Sequence, residues 1–116
     1  INFGNRDTNF GVIKGTQWND LDGDGLKEIG EPGLDNRTIY IDQNNNGVFD
    51  PVEPSAQTDT NGNYTFTDLT AGTYQVAEVK QTGWQTTFPS GGVQTVNLSK
   101  GEIETNIDFG NKALPG

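Results

Sequence analysis

Two segments of this chain carry oxygen-bearing side chains at a spacing that can do chemistry. The first runs from Asp20 to Glu31 and sets Asp20, Asp22, Asp24, Glu28 and Glu31 at positions 1, 3, 5, 9 and 12 of a twelve-residue loop, with Gly25 at position 6. The second runs from Asp42 to Glu53 and repeats the arrangement with Asp42, Asn44, Asn46, Asp50 and Glu53, again with a glycine, Gly47, at position 6. Alternate residues of a tightly curled loop point inward, and a glycine at the sharp turn tolerates positive φ. The carbonyls of Leu26 and Val48 at position 7 add an oxygen, and a glutamate at position 12 closes the shell with both of its own. Such a ligand set suits a hard divalent cation, and Ca2+ at two sites is the expectation. The first loop holds five carboxylates and the second three, so the second site is expected to be the weaker.

The rest of the composition narrows the function by exclusion. The chain has no His and no Cys, which removes the usual general base, the thiolate nucleophile, zinc and haem ligation and any disulfide. Carboxylate pairs can hydrolyse glycosides, but the richest acidic cluster here already has the grammar of metal ligation, so no enzyme is expected. Sixteen acidic residues against seven basic ones give a formal charge of -9. That argues against nucleic acid or an anionic membrane face as partner. No apolar run approaches the roughly 20 residues that cross a bilayer, so membrane insertion is not expected.

The elements that must position these loops are strands. Only 30% of the 116 residues are hydrophobic, and the 16 glycines stand among many Asn, Asp and Thr residues, a composition of turns and short strands. Alternation predicts strands over 10–16, 37–41, 63–67, 72–79, 92–98 and 103–109, the last with Ile103, Thr105, Ile107 and Phe109 along one side. Asp59-Thr60-Asn61-Gly62 and Thr70-Ala71-Gly72 read as hairpin turns. Six or seven short strands and no capped helical period imply an all-β chain, an Ig-like or prealbumin-like β-sandwich. Strands precede and follow both loops, so a calcium switch that opens a helix pair is not expected, and the metal's role is structural.

One internal repeat organises the chain. Ile1-Asn2-Phe3-Gly4-Asn5-Arg6 is matched by Ile107-Asp108-Phe109-Gly110-Asn111-Lys112, at an offset of 106 residues. The reading is a tandem array. Residues 1–10 are the tail of a preceding repeat or a linker strand, 11–112 one sandwich repeat, and 113–116 the link to the next. The stretch from Arg6 to Gly11 spans at most about 20 Å, so neighbouring copies of the module are the expected partners, assembled head to tail.

The sequence resembles a known family. Gly15-Thr16-Gln17-Trp18-Asn19-Asp20-Leu21-Asp22-Gly23-Asp24-Gly25, then Gly30-Glu31-Pro32-Gly33-Leu34, Thr58 to Phe66, Leu69 to Tyr74 and Gly83-Trp84 are similar to the B-type (SdrD B-like) domain of the serine-aspartate repeat adhesins, itself related to the B-type domains of collagen adhesins. The resemblance implies a calcium-binding β-sandwich repeated as a spacer or stalk in large bacterial cell-surface proteins, hence an extracellular location on a cell surface or secreted fibre. It places the family's first metal loop on Asp20, Asp22, Asp24 and Glu31. The relation to collagen adhesins also raises a Lys–Asn or Lys–Asp isopeptide bond, for which Lys14, Glu78 and Asn106 or Asp108 are the candidate residues.

Three lesser features complete the reading. Asp59 and Asn61 are candidates for a third metal site, for which a turn is the plainer explanation. Sequons stand at Asn36, Asn63 and Asn97. Trp18, Tyr40, Trp84 and Phe88 would form the platform of a carbohydrate-binding module if they shared one exposed face; glycans are therefore the alternative partner.

Overall fold

The computed structural model describes residues 10–115. The motif at Ile1–Arg6 and the strand expected of it lie outside the described residues. Nine strands follow in order: β1 (Gly11–Asn19), β2 (Thr38–Ile41), β3 (Ser55–Gln57), β4 (Asn63–Leu69), β5 (Gly72–Glu78), β6 (Trp84–Phe88), β7 (Val93–Leu98), β8 (Ile103–Glu104) and β9 (Phe109–Ala113). No helix occurs among the described residues.

The strands form two sheets. One has the order β4-β1-β9-β6, with β8 also paired to β1; the other runs β3-β2-β5-β7. Period-2 alternation sends one set of side chains inward from each sheet. Ile13, Tyr64, Phe66 and Phe109 from the first meet Ile39, Ile41, Val76, Val96 and Leu98 from the second in one buried cluster. The faces assigned to Ile39 and Ile41, and to Tyr64 and Phe66, are therefore the core faces.

Three expectations need correction. The strand expected over 103–109 is broken: β8 and β9 both lie parallel to β1 on one of its edges, Val12 opposite Ile103 and Gln17 opposite Phe109. Between them Asn106 adopts φ 62°, which inserts one residue and reverses the facing of what precedes it. Ile103 is consequently exposed while Phe109 is fully buried. The turns at Asp59–Gly62 and Thr70–Gly72 are not hairpins within a sheet, because each carries the chain from one sheet to the other. Finally, β3 and β6 were not expected from the sequence. β3 has only three residues, and Trp84-Gln85-Thr86-Thr87-Phe88 lacks clean alternation.

Candidate metal centre

Loop one leaves the end of β1 and loop two leaves the end of β2, and both curl identically. The Gly25 amide donates to Asp20 Oδ2 at 2.7 Å, and the Gly47 amide to Asp42 Oδ2 at 2.8 Å. Both glycines hold positive φ, 79° and 73°, a conformation that a side chain would strain. The glutamate at position 12 straps each loop shut. Glu31 accepts from Leu21 N and Glu28 N, both at 2.9 Å, and Glu53 from Gln43 N at 2.7 Å and Asp50 N at 2.8 Å. The amides of Leu26 and Val48 donate to Asp24 Oδ1 and Asn46 Oδ1, each at 3.0 Å. The spacing identified in the sequence thus yields the same backbone path twice.

The loops differ in how their oxygens are satisfied. In loop one the carboxylates face each other: ligand atoms of Asp20, Asp22 and Asp24 lie within 4.8 Å of one another, and so do those of Asp22, Glu28 and Glu31. Asp20 is fully buried, and its Oδ1 has no hydrogen-bond partner, an arrangement that is expensive without a cation. The Glu28 carboxyl is pushed up to about 7, first by sharing a proton with Asp22, then by desolvation and the charges of Asp22, Asp24 and Glu31. Asp22, the acceptor in that pair, is held below the ordinary range. The Leu26 amide favours the charged form of Asp24, yet desolvation and the neighbouring Asp22 and Asp20 leave its pKa raised. These residues fit a hard divalent cation.

In loop two the asparagine amides do part of that work. Asn44 Nδ2 and Asn46 Nδ2 donate to Asp50 Oδ2 at 2.9 and 3.0 Å, and Asp42 Oδ1 accepts from Asn46 N at 3.3 Å. Every inward carboxylate there has a donor. Such a loop keeps its shape with less need of an ion.

Each loop is anchored to the sandwich. The Asp20 amide donates to Asn111 O at 2.7 Å and Lys112 Nζ to Leu21 O at 3.1 Å, fixing loop one to β9. Loop two is fixed by Asp42 N to Gln75 O at 2.8 Å, and it folds Phe49 onto Tyr40, ring centroids 5.3 Å apart. That contact buries Tyr40 on the outer face of its sheet.

The remaining candidates are dispersed. Asp59 Oδ1 accepts from the amides of Asn61 and Asn63, both at 2.9 Å, which makes it a turn cap. Lys14 is exposed and lines a shallow cavity of about 380 Å³ with Asn106 and Asp108. Glu78 is not with them: it is buried, accepting from Thr86 Oγ1 at 2.5 Å and Asn111 Nδ2 at 2.9 Å. The aromatic platform does not assemble. Trp18 and Tyr40 are buried, Arg37 covers the Trp84 ring at 4.9 Å, and Phe88 packs on Trp18 at 5.9 Å. Asn36, Asn63 and Asn97 are exposed.

Sequence reasoning missed one buried polar chain. Gln17 Nε2 donates to Asn111 Oδ1 at 2.8 Å, and Asn111 in turn donates to Glu78. Burial pushes the Glu78 carboxyl up, opposed by the hydrogen bonds from Thr86 and Asn111 and by the charges of Lys80 and Arg37. The one signal was phase: Gln17 follows Ile13 on the inward face of β1.

Comparison with known proteins gives the family and the fold. The family model described as SdrD B-like domain matches residues 12–109. The chain belongs to the SdrD B-like domain family. It is 32% identical over 90 residues to the serine-aspartate repeat-containing protein D of Staphylococcus aureus strain Newman, covering 78% of this chain and 6% of that protein. An SdrD B-like domain is thus a small part of the curated relatives it matches. Among solved structures, the minor pilin GBS52 of Streptococcus agalactiae has a TM-score of 0.63 at 18% identity, covering 93% of this chain and 46% of that one. The major pilin SpaD of Corynebacterium diphtheriae has a TM-score of 0.60 at 17% identity, covering 97% and 34%. At those identities the pilins share the sandwich fold with the SdrD B-like domain.

Proposed function

We propose that this domain is a calcium-stiffened spacer of a bacterial cell-surface adhesin or extracellular fibre, joined head to tail to like modules and carrying no enzymatic activity. Family membership supports the role of a structural module. The observation that carries the calcium reading is the fully buried Asp20, whose Oδ1 has no partner and whose carboxylate lies within 4.8 Å of carboxylate oxygens of Asp22 and Asp24. Loop one is the stronger site and loop two the weaker, with Asp20, Asp22, Asp24, Glu28 and Glu31, and Asp42, Asn44, Asn46, Asp50 and Glu53, as side-chain ligands. The carbonyls of Leu26 and Val48 complete the two sets. The extracellular bacterial location follows from the same family kinship.

A bound ion gives the facing carboxylates a common counter-charge and holds each loop in one conformation. At ten times its dissociation constant, a ligand specific to the folded state adds about 1.4 kcal/mol. Calcium should therefore raise the melting temperature by several degrees, and isothermal calorimetry should record binding heat. Asp20→Asn or Glu31→Gln should remove most of the effect. Absence of calcium heat, together with an unchanged melting temperature in chelator, would overturn the reading.

A further inference from the structure

The sandwich has a direction. β1 and β9 are parallel neighbours, with Gln17 opposite Phe109 and Asn19 opposite Asn111, so the described chain enters β1 at one end and leaves β9 at the other. Loop one marks the exit end, tied to Asn111 and Lys112. Leu114 is still held there, its amide donating to Gly83 O at 2.8 Å. The entry end carries two turns beside the start of β1, since Gly11 lies opposite Leu69 and Val12 N donates to Glu102 O at 2.9 Å.

The repeated motif fixes how much chain joins one end to the other. With an offset of 106 residues, a following copy's counterpart of Gly11 falls four residues after Ala113. Four Cα steps reach at most about 14 Å. The entry end of a following copy therefore has to sit on the exit end of this one.

The exit end offers that copy an apolar surface. Leu21, Leu26, Ile29 and Leu114 are 55%, 65%, 107% and 48% exposed. Leu21, Leu26 and Ile29 hold loop positions 2, 7 and 10, between the inward oxygen residues, so no side chain of theirs is required by a cation. Single exposed apolar residues are ordinary, but several grouped at one end mark an interaction surface. The entry end presents Ile103, 53% exposed, as a counterpart. Loop two is placed differently: through Phe49 it lies on the outer face of its sheet.

We propose that the outer surface of loop one, built on Leu21, Leu26 and Ile29, is the docking face for the entry end of the next copy, so that the cation of loop one sets the angle between modules while loop two serves its own module. The inference deepens the calcium-stiffened tandem reading and rests on it. Its test is a tandem of residues 1–116 followed directly by residues 11–116, which preserves the period and keeps Leu114 at the joint. The chain has no native cysteine, so spin labels go on Thr95→Cys in each module for pulsed-resonance distance measurement. In calcium the distance distribution should be narrow. Leu21→Ser with Ile29→Ser in the leading module should at least double its width while calorimetric calcium binding and the melting temperature stay unchanged. Glu31→Gln there should broaden it too, whereas Glu53→Gln and the exposed loop-two variant Val52→Ser should not. An unchanged width in the Leu21 and Ile29 variant, or a broad distribution with calcium demonstrably bound, would overturn the docking face alone. Absence of calcium heat would instead overturn the metal reading and the cation's part in the joint.

Discussion

Glu78 and Glu28 show how differently a raised carboxyl pKa acts in the core and in a loop. For Glu78 the shift comes from burial, and Glu78 Oε1 and Gln17 Oε1 both lack partners among the described residues. A proton on Glu78 turns one buried acceptor into a donor. A group whose folded pKa exceeds its unfolded value of about 4.5 adds stability below that value, and loses it as pH rises through the folded pKa. Glu78→Gln keeps acceptors for Thr86 and Asn111 and removes the buried charge. It should match the parent chain near pH 4 and exceed it by about 1 kcal/mol at pH 7.5, as read from urea midpoints at both pH values. A variant weaker at pH 7.5 would mean that Lys80 and Arg37 favour the ionised form enough to outweigh burial. Glu28, by contrast, is exposed and raised to about 7 by its proton shared with Asp22 and by crowded like charges. That proton has to leave before the carboxylate can ligate, so calcium affinity should fall between pH 8 and pH 6. Calorimetry near pH 6 in buffers of different ionisation enthalpy should detect proton release, and Glu28→Gln should abolish it.

Strands and loops were legible in the sequence to different degrees, for a physical reason. Each loop takes all its ligands from twelve consecutive residues, so spacing alone reveals it. Strands with one buried face, such as β4 with Tyr64 and Phe66, announce themselves by alternation. The Gln17–Asn111–Glu78 chain joins residues 94 and 33 positions apart, and nothing local marks it. The break between β8 and β9 is hidden for the same reason, because it answers to β1. Thr16 N donates to Asp108 Oδ1 at 2.8 Å, Ile107 N to Lys14 O at 3.2 Å, and a Cβ on Gly15 would collide with the Ile107 carbonyl. Gly15→Ala should therefore cost about 1–3 kcal/mol, seen as a lower urea midpoint with an unchanged slope. An unaffected midpoint would show that the bulge yields without penalty.

Across the whole molecule, the two loops are attached to different sheets. Loop one hangs from β1 and β9, loop two from β2 and β5, and no hydrogen bond among the described residues joins them. Each is closed by its own glutamate strap, Glu31 in one and Glu53 in the other. Their contributions should then add within about 0.3–0.5 kcal/mol, as distant sites without shared partners do. In saturating calcium, Asp20→Asn should lower the unfolding free energy more than Asp42→Asn, because loop one has the buried unpartnered oxygen and the facing carboxylates while loop two is partly satisfied by its asparagines. The double variant should lose the sum of the two, measured by chemical denaturation of all four proteins. In chelator the order should reverse in sign for loop one: Asp20→Asn relieves carboxylate repulsion that no cation offsets, and the variant should equal or exceed the parent chain. A double variant departing from the sum by more than about 1 kcal/mol would mean that the sandwich core couples the loops, so that the module responds to calcium as one unit and not as two independent loops.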